Sequence, residues 1–409
     1  MKICIIGAGL TGLTAAHALS EHNEIDILEK AATPGGCLSS YRTDRYYIEQ
    51  YYHHCFEGDT RLFALLDQLG LKKRLEWHNG TTGYYSHDTI YPLTTPKEIL
   101  IYPELNLLDK ARLAWLTLRA KGIDTDTLDM ITAEDYIVGH LGRRVYSSFF
   151  EPLLRSKFGA RRCEVSAAWL ISRIKIRSNR GSSGEKLGYL KGGFHLLIEG
   201  LESSINSHGG RLLYNNPVES IGKTPGGWVV NGTRYDAVLS TIPPQELEKV
   251  GGPATIPVPY QGAACMTLAL DRDYTKGIYW LNMKDEAPYG AVVSHTNFIP
   301  RDEYGENLVY LGSYFTGTIR SGLDRLMADD FKRRFSVPDN AVHWSRIAID
   351  PFAGPVYTTG FRHLIRGYGD KGLFEAGMFS RSNYPERSME GSIIAGFEVA
   401  KTIDPGRVR

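Results

Sequence analysis

The first thirty residues constrain this chain more than any other stretch. Lys2–Ile6 (K-I-C-I-I) is a short apolar run of the kind buried on both faces of a parallel sheet. The turn Gly7-Ala8-Gly9-Leu10-Thr11-Gly12 follows at once, and a helical pattern then puts Leu13, Ala16 and Leu19 on one face. A second apolar run, residues 25–28, ends in Glu29 and Lys30. Strand, glycine turn, helix, strand and acid in this order predict a βαβ unit that binds a dinucleotide. Gly7 permits the tight turn. Gly9 lets the backbone approach a pyrophosphate at the helix N-terminus, where Leu10 and Thr11 open the helix and its dipole favours an anion. Gly12 lets that helix lie close to the sheet. Glu29 stands at the spacing of roughly 20 residues expected for an acid that accepts hydrogen bonds from a ribose.

A chain of 409 residues is suited to two domains. A hydrophobic content of 42% and a formal charge of +1 describe an ordinary globular protein and give no sign of nucleic-acid binding. No apolar run approaches the ~20 residues needed to span a bilayer. With a strand expected from Lys2, no N-terminal targeting signal is expected, and a cytoplasmic location follows. The cysteines at 4, 37, 55, 163 and 265 show neither metal spacing nor a disulfide framework.

Further motifs carry a resemblance. Glu29-Lys30 is followed by Pro34-Gly35-Gly36 and then by Leu38-Ser39-Ser40. This resembles the flavoprotein superfamily of monoamine oxidases, protoporphyrinogen oxidases, phytoene desaturases and UDP-galactopyranose mutases. The resemblance implies that the first unit binds the ADP half of FAD and that Gly36, Cys37 and Leu38 pass close to the cofactor. Cys37 stands where many members have arginine. It also implies that the backbone of Val218 meets adenine, and that residues 236–244 form a strand and proline turn leaving the FAD-binding unit. Near the C-terminus, Gly377 follows a strand at 373–376, and Arg387-Ser388-Met389-Glu390-Gly391 opens the last helix. That segment implies backbone N–H groups and a helix dipole aimed at the flavin's O2 edge, with Ser388 and Met389 as contacts. Amine oxidases usually carry an aromatic cage residue at the position of Ser388, and a lysine near the position of Met266. Tyr384 is a candidate for the flavin face.

The middle of the chain is less regular. His53-His54-Cys55-Phe56 is similar to a mutase segment beside the flavin ring, and adjacent histidines point in different directions, so at most one of the two is expected to face a ligand; a polar loop or a hydrogen-bonded core histidine is the other reading. Asp59 reads as the N-cap of a helix over 60–69. Residues 84–91 read as a hairpin with His87-Asp88 at its turn. Residues 107–121 form an amphipathic helix, read as a surface helix, although in some relatives the region touches membrane. Thr132 reads as a cap, with Asp135 three residues on. Lys157-Phe158-Gly159 and Arg173-Ile174…Arg177 resemble a mutase pattern whose first arginine meets substrate phosphate. Between Arg143 and Lys191 stand twelve basic residues and three glutamates. A positive cleft would attract an anionic substrate; a solvated basic face, or one against acidic lipid, is the other reading. Residues 211–214, 218–221, 228–230 and 235–241 read as a small meander. Residues 260–350 read as a larger sheet, with a helix near 321–335.

The expected fold is α/β: a Rossmann-like three-layer FAD-binding domain (1–83, 188–246 and 351–409) with a mixed α+β substrate domain inserted in two stretches (84–187 and 247–350). The leading function is an FAD-dependent oxidoreductase moving a hydride from an isoprenoid, cyclic or sugar-linked substrate to flavin N5. Catalytic candidates are His53, His54, Arg173 and Tyr384, and no metal is expected. The alternatives are a redox-neutral sugar-nucleotide mutase using reduced flavin, and a non-catalytic flavin-binding protein.

Overall fold

The computed structural model describes residues 1–177 and 184–407; the side chain of Arg177 lies outside the described part. Two sheets organise the chain. The first has six strands in the order Gly369–Asp370, Leu373–Glu375, Ala237–Ser240, Lys2–Ile6, Glu24–Leu28 and Arg211–Leu213. All pair in parallel except the outermost strand, Gly369–Asp370. The side-chain alternation of Lys2–Ile6 explains why both faces are covered. Ile3 and Ile5 pack with Leu13 and Ala16 of the helix Leu10–Leu19 and with Ile393 and Val399 of the last helix, Met389–Ile403. Cys4 and Ile6 pack on the opposite face with Ile221, Trp228 and Val230 of a three-stranded meander, Ile221–Thr224, Gly227–Val230 and Thr233–Tyr235. The two helices lie tightly together because Gly396 has no Cβ; one built there would sit 2.7 Å from Thr14 Cβ.

The meander differs from its sequence reading. Arg211–Leu213 joins the edge of the parallel sheet, and Ala237–Ser240 is one of that sheet's inner strands. Asp26 explains the first of these. It is fully buried on the second strand and accepts bonds of 2.7 Å from both Nε and Nη2 of Arg211, with Tyr235 Oη adding a third at 3.0 Å. Residues 218–220 form no strand. Asn231 holds that loop instead, accepting from the amides of Glu219 and Ser220 and donating to Pro217 O.

The second sheet has seven strands in the order Val342–Pro355, Tyr260–Leu270, Asn307–Phe315, Ala291–Ser294, Trp280–Met283, Thr82–Ser86 and Thr89–Pro92. Its pairs are antiparallel apart from Trp280–Met283 with Thr82–Ser86. The Thr82–Ser86 hairpin turns at His87 and Asp88, both at positive φ, as the sequence suggests. Along Tyr260–Leu270, Met266, Leu268 and Leu270 pack toward Met327 and Phe331 of the helix Leu323–Phe335. Three strands straddle the expected boundaries between stretches: Thr82–Ser86, Glu185–Leu190 and Val342–Pro355.

The remaining helices close the gap beside the large sheet. Thr132 caps the helix Ala133–Leu141 through the amide of Asp135 at 3.0 Å. Leu107–Arg119 turns Leu113 and Leu116 inward, while Leu107, Leu108, Trp115 and Leu118 are exposed. Asp59 stands at the N-cap of Thr60–Gln68, but its side chain makes no capping bond; the carboxylate accepts from the Phe56 amide at 2.9 Å instead. The cap comes from the other end of the chain, where Glu390 accepts from the amides of Arg61 (2.9 Å) and Leu62 (2.8 Å). Glu390→Ala is therefore expected to lower stability by about 1–2 kcal/mol, the usual range for a lost helix cap, in equilibrium urea unfolding. An unchanged midpoint would show that these bonds contribute nothing.

Candidate active site

One large cavity, about 790 Å³, runs between the two sheets. Its first end is the glycine turn. Gly7 sits at φ +100° with its amide bonded to Leu28 O at 2.9 Å, so the chain turns back over the sheet. A Cβ on Gly12 would lie 2.2 Å from Gly7 O, whereas a Cβ on Gly9 would meet no atom within 4 Å. The helix Leu10–Leu19 has no side-chain cap, so its first N–H groups are left for a ligand. Gly7, Gly9, Leu10, Thr11, Glu29, Lys30, Gly36, Cys37, Leu38 and Val218 all line the cavity. Gly12 does not; its part is to let helix and turn approach. Glu29 is held by the amides of Ala8 and Ala31, each at 2.8 Å. The loop bearing Val218 is tied beside it by Asn216 N to Glu29 O at 2.9 Å.

The last helix forms another wall. Gly377, Ser388 and Met389 line the same cavity. Ser388 caps the helix Met389–Ile403, its Oγ accepting from Gly391 N at 2.9 Å, and Asn383 Oδ1 accepts from Ser388 N at 3.1 Å. Cys37 Sγ donates to Asp350 Oδ2 at 3.5 Å, and burial pushes its thiol up to about 12. Ala263 and Cys265 of the large sheet also face this space. Met266, one residue on, faces the other way, as strand alternation requires.

Both histidines border the cavity. His53 Nδ1 lies 2.7 Å from Tyr51 O. A carbonyl only accepts, so Nδ1 carries the proton and Nε2 is the ring's acceptor. Burial, against that bond, lowers the His53 pKa to about 4, which leaves the ring neutral near pH 7. His54 is set among Phe56, Tyr279, Trp280 and Phe298, with Nδ1 3.1 Å from Tyr279 Oη. Tyr384 is not at the site. Its hydroxyl donates to Asp129 at 2.5 Å, and its ring stacks on Phe361.

Four charged groups meet on the cavity wall: Lys157, Arg173, Glu386 and Arg387. Glu386 Oε1 accepts from Arg173 Nη1 at 3.0 Å and lies 3.4 Å from Lys157 Nζ. Burial opposes the Glu386 charge, but Lys157, Arg173 and Arg387 outweigh it and hold the carboxyl below its usual range. Lys157 carries the penalty. Burial, reinforced by Arg173 and Arg387, lowers its pKa to about 7 despite Glu386. The broad positive field expected from the basic stretch is not found. Arg143, Arg144, Arg155, Arg161 and Arg162 pair outside the cavity with Glu134, Asp109, Glu151 and Glu164. Among the described basic residues of that stretch, Lys157 and Arg173 are the two at the cavity. Sequence reasoning missed Glu386 and Arg387, although they stand directly before Ser388. No metal-ligand cluster occurs among the described residues, and none of their helices is long and apolar enough to cross a membrane.

An uncapped helix N-terminus, the open face of Gly9 and the fixed Glu29 carboxylate fit the diphosphate and ribose of a dinucleotide. The same cavity continues past a second helix N-terminus, so cofactor and substrate share one space. That arrangement suits a bound dinucleotide with a substrate beside it. The chain belongs to the family of flavin containing amine oxidoreductases, whose match runs over residues 10–404. A coproporphyrinogen III oxidase of Staphylococcus aureus is 25% identical over 285 residues, 60% of this chain and 61% of the relative, so the chain spans less than two thirds of that protein. Solved structures share the fold. A protein of Exiguobacterium sp. assigned as a protoporphyrinogen oxidase superposes with a TM-score of 0.77 at 18% identity, covering 98% of each chain. Reduced UDP-galactopyranose mutase gives 0.76 at 17%, covering 100% of this chain and 98% of the other.

Proposed function

We propose that the protein oxidises a cyclic, nitrogen-containing substrate of the porphyrinogen type. The observation that carries this reading is a single cavity bounded by the dinucleotide turn, the last helix and a mixed wall of apolar and charged groups. FAD, when bound, supplies acceptance of a hydride from a substrate C–H bond. Gly9 and the helix N-terminus would hold its diphosphate, Glu29 the ribose, Val218 the adenine, and Ser388 and Met389 the pyrimidine edge. Gly36, Cys37, Leu38 and Gly377 would flank it. Phe149, Leu153 and Trp169 exclude water from the substrate side and orient an apolar ring. Lys157, Arg173 and Arg387 outnumber Glu386, which suits a substrate with carboxylate side chains. His53 provides a neutral hydrogen-bond acceptor. The exposed leucines of Leu107–Arg119, on the outer side of a helix that lines the cavity, would let its mouth rest against a lipid surface.

The mutase reading meets an obstacle: a carboxylate, Glu386, sits on the arginine that would have to take phosphate. Anaerobic titration of the yellow protein with coproporphyrinogen III is expected to bleach the flavin. Turnover of a sugar nucleotide only after prior reduction would instead establish the mutase activity. A substrate-inert flavin would leave a binding protein.

A further inference from the structure

Glu386 presents one oxygen that its surroundings leave unused. The side chain is 9% exposed and lines the cavity. Oε1 is shared by Arg173 and Lys157, whereas Oε2 is buried and has no hydrogen-bond partner. Both cations are also braced over the Trp169 ring, Lys157 Nζ at 5.0 Å and Arg173 Cζ at 5.8 Å from its centroid. An ionised carboxylate oxygen shut away from both water and donors is unfavourable unless a ligand completes it. The group that completes it has to be a donor, because a second anion placed there would be repelled.

We propose that Glu386 Oε2 accepts a hydrogen bond from an N–H of the substrate, of the pyrrole type, and so fixes which carbon faces the flavin. This rests on the oxidoreductase reading and names the group by which that reaction selects its substrate. Arg173 then acts as a brace for the carboxylate, and the cation surplus around it remains for the substrate's own carboxylates. The assignment also explains why Glu386 is surrounded by three basic groups: they keep it ionised, and therefore an acceptor, at the cavity wall.

The test uses two probes of the same shape, pyrrole-2-carboxylate and furan-2-carboxylate, which differ by N–H against ring oxygen. Binding to the FAD-loaded protein is followed by perturbation of the flavin spectrum. Wild type is expected to prefer the pyrrole acid by about tenfold or more, the range of a hydrogen bond to a charged group. In Glu386→Gln the two cations keep the amide carbonyl at the Oε1 position, which puts NH₂ where Oε2 was. The preference should vanish or reverse while FAD content stays unchanged. A wild-type ratio below about threefold would overturn the proposal, as would a preference that survives in the variant. If Glu386→Gln fails to fold, the wild-type ratio alone decides. Failure of the oxidoreductase reading shows separately, as wild-type flavin that coproporphyrinogen III does not bleach.

Discussion

Gly9→Val is expected to yield a folded, colourless protein, and Gly12→Ala one that folds poorly. The two glycines lie three residues apart in one turn, yet their missing Cβ atoms point into different surroundings. At Gly9 a side chain would enter space that holds no protein atom within 4 Å, so the fold need not change. That space lies before the uncapped N-terminus of the helix Leu10–Leu19, where a diphosphate would be held. A valine there takes the anion's place, and FAD affinity should fall at least a hundredfold, about 2.7 kcal/mol. At Gly12 the Cβ would sit 2.2 Å from the Gly7 carbonyl oxygen, which is backbone and cannot swing aside. Helix and turn would have to separate, at an overpacking cost of about 3 kcal/mol. Flavin absorbance per protein and the thermal midpoint measure the two effects independently. Yellow Gly9→Val protein with full FAD content would remove the diphosphate site from this turn. A normal midpoint for Gly12→Ala would show that the helix can move off the sheet freely.

The glycine turn was legible because its chemistry is local: strand, turn, helix and acid occupy thirty consecutive residues, Gly7 and Gly12 answer steric demands set by their neighbours, and Gly9 leaves open space. Ser388 and Met389 were singled out by the resemblance, and the last helix starts where that resemblance implies. Other features depend on pairings no local pattern records. Lys157 meets Glu386 across 229 positions and Asp26 meets Arg211 across 185, so neither the charged cluster nor the sheet edge could be placed from spacing. The basic stretch left two readings open because net charge ignores partners: Arg161 pairs with Glu164 three residues on, whereas Arg144 pairs with Asp109 on another helix. Asp59 takes the cap position that its residue type suggests, but the capping bonds come from Glu390, 329 positions from Arg61. Tyr384 could have pointed either way from its loop; Asp129 decides it.

In the FAD-loaded protein, stability should rise with pH between 7 and 9 more steeply in wild type than in Lys157→Met. Lysine titrates near 10.4 in an unfolded chain, and burial lowers Lys157 to about 7 in the fold. Below pH 7 both states carry the charge, and the fold bears the whole penalty of enclosing it. As pH rises through 7 the folded amine gives up its proton while the unfolded one keeps it. The unfolded state then binds more protons, and stability increases by up to about 1.4 kcal/mol per pH unit. From pH 7 to 9 the wild-type gain over the variant should approach about 2.3 kcal/mol, because the folded amine is already half neutral at pH 7 and methionine has nothing to titrate. Lys157 is first among the cations that hold Glu386 below its usual range; in Lys157→Met, Arg173 and Arg387 remain beside it. Urea unfolding of each protein at pH 7, 8 and 9 gives the two slopes. Equal slopes would mean that Lys157 stays charged throughout, with Glu386 as a full partner rather than a shared one. Unequal slopes would establish that Lys157 gives up its proton inside the fold as pH rises through about 7.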